Sequence, residues 1–274
     1  MKKMNLNGCV VWRGKSRFDG RPIVMIVTGL TRGSANGKTG DMLQTWILLD
    51  DGDVSPIQAR ASGADASICG DCELRRLCAK GNDKARTLCY VNVGQAPSQV
   101  YACYRDGRYY DLSDYPDKSK FAGKFLRMGS YGDPAMVDFE IWETLIGLCG
   151  DNGRTGYTHG WRWADRRLSR LCMASVSTIE DAELANSMGW RTFRVRKPGE
   201  YGINRANEIT CPASNEAGYR RNCNNCAACG GGDVSRRSIA INAHGGFAVM
   251  GNWTKFACGA LQSVIAERSA SFEV

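Results

Sequence analysis

The stretch Phe125-Leu-Arg-Met-Gly-Ser-Tyr-Gly-Asp-Pro134 places a short apolar run before a glycine-containing turn and an Asp-Pro pair that is typical of a helix start. The next segment, AMVDFEIWETLIGLC (135–149), predicts a helix. Its expected apolar stripe contains Val137, Ile141, Leu145 and Leu148.

The same alternation of strand and helix patterns continues with short connections. The expected strands are TGYTHGW (155–161), LCMASV (171–176) and RTFRV (191–195), and the expected helices are ADRRLSRL (164–171) and IEDAELANSM (179–188). Ser177 and Glu180 predict a capping box for the second of these helices. The pattern predicts an α/β protein with a parallel, partial (β/α) barrel-like sheet.

The carboxyl ends of parallel strands are where ligands bind in such folds. Those ends carry Gly129 to Asp133, His159 to Arg162 and Ser175 to Ser177. Asp133 and His159 are therefore the candidate catalytic side chains. The alternative for His159 is a structural histidine that is hydrogen-bonded within its loop.

Residues 1–60 predict a β-rich N-terminal part, because CVVW (9–12), PIVMIVTGL (22–30) and MLQTWILL (42–49) are apolar runs separated by turn residues. The loop from Gly33 to Thr39 ends in Gly-Lys-Thr, like a phosphate loop. A Walker A loop has four residues between its glycines and a helix after Lys-Thr. Here three residues separate Gly33 from Gly37 and a strand pattern follows, so we expect a hairpin turn and no ATPase.

The 274 residues contain thirteen cysteines and only two histidines, His159 and His244. The N-terminal residues lack the apolar region of a signal peptide, and no run approaches the ~18 apolar residues of a membrane span. We therefore expect a cytoplasmic protein without a membrane partner. In a reducing compartment clustered thiols favour metal binding over disulfides.

One group of cysteines lies in a polar, glycine-containing segment. It comprises Cys69, Cys72, Cys78 and Cys89. Three ligands, Cys69, Cys72 and Cys89, would leave a metal site open, whereas Cys78 as a fourth would close it. The alternative is a structural zinc knuckle. Cys103, Cys149 and Cys172 lie on apolar elements and are expected in the core.

The other group is Cys223-Asn-Asn-Cys226-Ala-Ala-Cys229, with Cys211-Pro212 upstream. The C-x2-C-x2-C spacing and a Cys-Pro ligand are typical of 4Fe–4S sites, although here the Cys-Pro comes first. Zinc usually takes two separated C-x2-C pairs, so zinc and unligated or disulfide-bonded thiols are the alternatives. Two roles are open for Arg220, Arg221, Arg236 and Arg237. They could contact nucleic-acid phosphates or balance the negative charge of a thiolate-ligated cluster, and we favour charge balance.

These observations divide the chain into four parts that we expect to form one composite domain. The parts are the β-rich residues 1–60, the first cysteine-rich loop and helix at 61–124, the β/α partial barrel at 125–198 and the second cysteine-rich region at 199–274.

The chain resembles a family of uncharacterised, phage-type cysteine-rich iron–sulfur proteins. The motifs that carry this resemblance span most of the chain: TGDMLQTWIL, SGADASICGDC, CYVNVGQAP, LRMGSYGDP, YTHGWR and CPASNEAG…CNNCAACGG. More distantly it is similar to radical-SAM enzymes. This similarity implies an open 4Fe–4S cluster on Cys69, Cys72 and Cys89, S-adenosylmethionine as a cofactor contacted by Gly129, Ser130 and Gly132, and an auxiliary C-terminal cluster. Radical-SAM enzymes use C-x3-C-x2-C, which this sequence lacks.

The sequence predicts a protein with one or two 4Fe–4S clusters and leaves its catalytic activity open. One hypothesis is a radical-SAM-like redox or modification enzyme of phage origin with a small-molecule or nucleic-acid substrate. The other is a non-enzymatic module with structural iron–sulfur or zinc sites that binds nucleic acid or protein. The formal net charge of +8 is compatible with both.

Overall fold

The computed structural model describes residues 2–34, 36–75, 89–196, 200, 202–203 and 206–243. In these ranges the chain has a mixed α/β fold with one sheet of ten strands and six α-helices. The strands are β1 (Gly8–Lys15), β2 (Pro22–Thr28), β3 (Leu43–Leu49), β4 (Tyr110–Asp111), β5 (Leu126–Tyr131), β6 (Arg154–Thr158), β7 (Met173–Val176), β8 (Thr192–Arg196), β9 (Glu208–Thr210) and β10 (Ser238–Asn242). The helices are α1 (Pro56–Ser62), α2 (Ala66–Cys69), α3 (Ala96–Arg105), α4 (Phe139–Leu148), α5 (Ile179–Ser187) and α6 (Cys223–Cys226).

The sheet has the strand order β4-β1-β2-β3-β5-β6-β7-β8-β10-β9 and is mostly parallel. Only the β1–β2 and β2–β3 pairs are antiparallel. The N-terminal strands continue directly into the parallel part, because β3 pairs in parallel with β5, with Leu43 opposite Leu126. As expected, the glycine-rich loop at 33–39 belongs to the connection between two antiparallel strands, and a strand follows Lys38 and Thr39.

The core lies mainly on one face of the sheet, which α1 to α5 cover. Every residue of β3 is buried, which is what a central strand requires. Trp142 from α4, Trp161 and Trp190 are among the largest fully buried side chains. Cys149 and Cys172 also lie in this core, as the sequence predicts. No helix in the described ranges is both long and apolar enough to span a bilayer.

The helix after Asp133 differs from its prediction. Pro134–Met136 forms a 3-10 turn, Val137 is extended, and α4 begins only at Phe139. The predicted apolar stripe is therefore wrong in part: α4 buries Phe139, Trp142, Leu145 and Ile146, whereas Ile141 and Leu148 are only partly buried. The later start follows from Asp133, whose carboxylate caps the 3-10 turn and not the α-helix.

Two further local predictions are wrong. Residues Arg166–Arg170 form a 3-10 helix, not an α-helix, after Asp165 accepts a hydrogen bond from the Arg167 backbone. The N-cap of α5 is Thr178, whose hydroxyl accepts from the Asp181 backbone N–H at 3.0 Å. Ser177 does not cap α5, because its hydroxyl donates to a carboxylate in the first cysteine-rich segment.

Candidate metal centres

Three cysteines of the first cysteine-rich segment lie together, and we call them the first thiol site: Cys69, Cys72 and Cys89. Cys69 ends α2, and Cys72 follows in a turn in which its N–H donates to the Cys69 carbonyl at 3.3 Å. The Cys89 N–H donates to the Leu74 carbonyl at 2.8 Å, which returns the chain to the same turn. Cys78 lies outside the described residues.

A buried ion pair holds the turn of the first thiol site. Arg75 donates to the Asp65 carboxylate through two nitrogens, at 2.7 and 3.1 Å, and to the Gly63 carbonyl at 2.6 Å. Asp65 precedes Cys69 and Arg75 follows Cys72, so these bonds connect the two ends of the segment that carries both thiols. Because each partner is largely buried, removing one would leave the other charge without compensation.

The first thiol site lies at the carboxyl ends of the parallel strands. The Asp133 N–H, just after β5, donates to the Ile68 carbonyl at 2.7 Å. Ser177, just after β7, donates to the Glu73 carboxylate at 2.6 Å. Cys72 and its neighbours also contact Val195 near the end of β8. The sequence predicts this edge of the sheet as a ligand site, and it is where the first group of thiols lies.

Asp133 and His159 are brought together by the adjacent ends of β5 and β6. The Asp133 carboxylate accepts from the backbone N–H of His159 at 2.7 Å and from that of Ala135 at 2.9 Å. Burial raises the pKa of Asp133, while the His159 and Thr158 interactions act in the opposite direction. This carboxylate organises two strand ends beside the thiols; a catalytic role for either residue stays a prediction. His244 lies outside the described residues.

The predicted cofactor contacts Gly129, Ser130 and Gly132 have partners inside the protein. The Gly129 N–H donates to the Thr45 hydroxyl at 2.8 Å, and the Ser130 hydroxyl donates to the Gln44 side chain at 2.7 Å. Gly132 has a φ of 84°, and a Cβ there would lie 2.6 Å from the Ile47 Cβ. These residues fit β5 against β3, and the S-adenosylmethionine contact stays a prediction.

Tyr131 places a buried hydroxyl beside the first thiol site. The side chain is 5% exposed, and its hydroxyl has no hydrogen-bond partner among the described residues. Burial raises the pKa of Tyr131, and the nearby thiols of Cys69 and Cys89 raise it further. A buried hydroxyl without a partner costs free energy, so this group favours a site that contains a further acceptor.

The second cysteine-rich region gathers four thiols, which we call the second thiol site: Cys211, Cys223, Cys226 and Cys229. Burial raises the pKa of Cys229 to about 12, and the thiols of the other three cysteines also raise it. Cys211 is affected in the same way by Cys223 and Cys226, and Cys223 by Cys226. Every pair among the four is thus close enough for the charges to interact.

Local backbone geometry positions the four thiols on the sheet face opposite the main core. Cys211 follows β9, and its N–H donates to the Ala240 carbonyl of β10 at 2.8 Å. Cys223 and Cys226 lie on α6, a single turn closed by reciprocal Asn222–Asn225 side-chain bonds of 3.1 Å. Ala227 then adopts a φ of 46°, and the Cys229 carbonyl accepts from the Gly156 N–H of β6 at 3.1 Å. A left-handed alanine is strained, and such strain is typical of functional loops.

Positive charges surround the second thiol site. Burial raises the pKa of Cys223, while the charges of Arg127 and Lys38 act to lower it. Lys38 is the lysine of the glycine-rich hairpin loop, and its carbonyl accepts from the Cys223 N–H at 2.8 Å. The sequence does not indicate that either cation lies near these cysteines, because both belong to strands or loops that are far away in the chain.

Arg191 is a third cation at the second thiol site and is only 2% exposed. Its guanidinium donates to the carbonyls of Ala228 at 3.1 Å, Gly231 at 2.7 Å and Arg237 at 2.6 Å. In the described part of the chain, the hydrogen-bond partners of Arg191 are these three carbonyls and no carboxylate. Burial and the charge of Arg236 lower the pKa of Arg191, whereas the Cys229 thiol acts in the opposite direction. A buried, unpaired cation is costly unless a negative group lies nearby.

The four arginines that the sequence predicts for charge balance contribute less directly. Arg221 bonds the Asn225 carbonyl at 3.3 Å, and Arg236 lies near Arg191. The Arg237 contribution described above comes from its backbone carbonyl. The positive charges that act to lower the thiol pKa values are that of Lys38 at Cys211 and those of Arg127 and Lys38 at Cys223.

The side chains in the described ranges include no group of three or more histidine, cysteine, aspartate or glutamate residues that is arranged to hold a metal ion. All eleven described cysteines are free thiols. The thiols within each site are therefore neighbours, but they are not arranged as the ligands of a metal ion. Comparisons with protein-family models, curated proteins and solved structures gave no match to this chain.

Proposed function

We propose that the protein binds 4Fe–4S clusters at its two thiol sites. The second thiol site provides four thiolates for one cluster. The first thiol site provides Cys69, Cys72 and Cys89 for the other, and Cys78, outside the described residues, is the candidate fourth ligand. When bound, such a cluster stores one electron, and an iron without a protein thiolate binds an exchangeable ligand.

The observation that carries this proposal is the electrostatic environment of the second thiol site. Four mutually adjacent thiols lie with Lys38, Arg127 and Arg191, and the last of these is buried without a carboxylate. Four neutral thiols would leave that charge uncompensated, whereas a thiolate-ligated cluster is anionic and compensates it. The residues therefore fit the group in charge as well as in donor type.

The first thiol site fits a metal group for a different reason. Its three thiols lie where ligands bind in parallel α/β sheets, next to the unpartnered Tyr131 hydroxyl. Cluster sulfur accepts hydrogen bonds, so a cluster here would give Tyr131 its acceptor. A radical-SAM-like reaction, S-adenosylmethionine binding, the curvature of a partial barrel and a phage origin belong to this proposal as further predictions.

The first experiment is analysis of iron, zinc and acid-labile sulfide, with a visible absorbance spectrum, on anaerobically purified protein. Two clusters give about eight irons and eight sulfides per chain, and one cluster gives about four. Colourless protein with bound zinc would contradict the proposal and leave the structural zinc module as the better hypothesis.

Three alanine variants then assign the irons to the sites. We expect Cys226→Ala and Cys72→Ala each to lose about four irons, and Cys226→Ala also to unfold at a lower temperature, because ligation energy is folding energy in such loops. Cys149→Ala is the matched control, since Cys149 is a buried core thiol outside both sites. Full iron content in Cys226→Ala would show that the second thiol site is wrongly assigned.

A further inference from the structure

The face of the sheet opposite the main core carries an exposed aromatic side chain. Leu126 and Met128 of β5 are buried in the main core, so Arg127 between them points to the other face. Arg127 donates from Nη2 to the Tyr90 hydroxyl at 3.1 Å, which places Tyr90 on that face as well. Tyr90 is 52% exposed, so much of its ring is open to solvent.

The loop from Cys211 to Cys229 packs on the same face. Arg127 pairs with Thr155 of β6, so Tyr157, two residues further, lies on the side of the sheet to which Arg127 points. Tyr157 packs against the hydrophobic cluster that contains Cys211 and Cys229, which begin and end the loop. Side chains that extend from this loop into solvent are therefore on the same side of the molecule as the exposed aromatic ring.

Tyr219 in this loop is a second exposed aromatic residue. It is 64% exposed, and no hydrogen bond or ring contact within the described ranges holds its side chain. Gly218 and Tyr219 have φ values of 69° and 48°, and this left-handed conformation is costly for a bulky residue such as tyrosine. The turn is closed by the Tyr219 N–H, which donates to the Ser214 carbonyl at 2.9 Å. Tyr90 and Tyr219 are the only exposed aromatic residues in the part of the chain that the structure describes.

Positive charges lie beside Tyr219. Arg220 and Arg221 follow it directly in the chain, and both are exposed. Two residues further, the Cys223 N–H donates to the Lys38 carbonyl at 2.8 Å, so the glycine-rich hairpin loop lies against the same segment. Three cations are thus carried by two adjoining loops.

The carboxylates of these two loops are already paired. Glu216 is the only acidic residue between positions 211 and 229; it pairs with Arg196 at 3.4 Å and accepts from the Asn242 N–H at 2.7 Å. Asp41, which follows the hairpin loop, pairs with Lys124 at 2.7 Å. The surface that the loops present to solvent is therefore positively charged.

We propose that this surface binds single-stranded nucleic acid. We call it the tyrosine–arginine surface, and it comprises Lys38, Tyr90, Tyr219, Arg220 and Arg221. Unpaired bases stack on exposed aromatic rings, and phosphates pair with arginine and lysine side chains. The bases of a duplex are stacked on one another and do not reach such rings, so the surface favours single strands. The inference goes beyond cluster binding, and it gives Arg220 and Arg221 a role that their distance from charge balance at the thiols leaves open.

The test is fluorescence anisotropy of the whole, anaerobically purified chain with labelled oligo(dT) and oligo(U) of about 12 nucleotides. The tighter of the two strands identifies DNA or RNA as the ligand. We expect saturable binding that weakens between ~50 and ~200 mM salt. A duplex of the same length and polyglutamate serve as competitors, and each should compete about tenfold less well than the unlabelled single strand.

Variants of Tyr219 and Arg220 separate stacking from charge. Tyr219→Ala should raise the Kd about tenfold, whereas Tyr219→Phe, which retains the ring, should stay near the parent protein. Arg220→Gln should reduce the slope of log affinity against log salt by about 0.7, because one phosphate contact is lost. The control is Arg17→Gln, which also removes one positive charge, but from an ion pair with Asp138 beside α4 of the main core.

Tyr90→Ala covers the case in which Tyr219→Ala alters the loop that carries it. It removes an exposed ring and leaves residues 211–229 unchanged, and it should raise the Kd about fivefold. No saturable binding, equal affinity of Tyr219→Ala and Tyr219→Phe, or polyglutamate that competes as well as the single strand would each overturn the inference. Binding by protein without any cluster would contradict the proposed function but support the tyrosine–arginine surface, so the two failures are distinguishable.

Discussion

Replacement of Arg191 by glutamine tests the electrostatic argument for the second thiol site. The arginine donates three hydrogen bonds to backbone carbonyls on the loop that carries Cys229 and on the segment before β10. Glutamine is shorter and retains one amide donor group, so about two of the three bonds are lost. At ~1.5 kcal/mol for each bond to a charged group, Arg191→Gln should destabilise the protein by about 3 kcal/mol.

This loss is large enough to measure by thermal unfolding. A change of 1 kcal/mol shifts the midpoint by ~2–4 °C in proteins of roughly this size, so the expected decrease is about 6–12 °C. The positive charge is lost too, and we therefore expect about four irons fewer per chain, from the second thiol site only.

Arg17→Gln is the control for Arg191→Gln. Its ion pair with Asp138 is exposed on both sides and should contribute less than ~1 kcal/mol. The assays are circular dichroism on heating and iron analysis of anaerobic samples. If Arg191→Gln unfolded at the temperature of the control and retained all its iron, the argument from a buried, unpaired cation would be refuted.

Three further predictions concern acid lability, loop packing and a helix cap. Burial raises the pKa of Cys89 to about 11, so metal binding there must displace protons. Carboxylates surround the first thiol site and cations the second, so in an acid titration that follows iron release the first thiol site should lose its metal at the higher pH. Release from both sites at the same pH would contradict this. Gly40→Ala should lower the free energy of unfolding, measured in urea, by ~1–3 kcal/mol, because φ is 62° and the new Cβ would lie 3.0 Å from the Asn224 Cβ. Gly37→Ala is its control, since a Cβ there meets nothing within 4 Å. Thr178→Ala should cost about 1 kcal/mol by loss of the α5 cap, and an unchanged stability would show that Thr178 is not the cap.

The strands could be predicted well from the sequence, since β-branched and aromatic runs such as the one in β3 bury both faces and have a strong local signal. The strand–helix alternation after residue 125 correctly predicts parallel pairing. The predictions failed where two adjacent residues compete for one role. Ser177 and Thr178 are both suitable caps by residue type. Thr178 is the cap, while Ser177 bonds Glu73, 104 residues away in the chain.

The candidate thiol sites could be predicted as groups of cysteines but not as electrostatic environments. Cysteine spacing indicates which thiols lie together, because it is local. Lys38, Arg127 and Arg191 come from three separate parts of the chain, and each approaches the cysteines only through the order of the strands. Tyr131 has no signal either, since a tyrosine at a strand end is more often simply buried core. The cysteines of each site could therefore be predicted from the sequence, whereas the charged side chains around them could be identified only from the fold.

The exchange in strand order at the edge of the sheet determines when the second thiol site can assemble during synthesis. β10 lies between β8 and β9, although it follows β9 in the chain by almost thirty residues. Cys211 is held by the carbonyl of Ala240, so it reaches its place only after β10 has left the ribosome and inserted. All four thiols of the site are translated before that event. The nascent chain therefore exposes these four thiols before the strand that positions Cys211 is in place, and we expect the cluster proposed for this site to form only after β10 has been made.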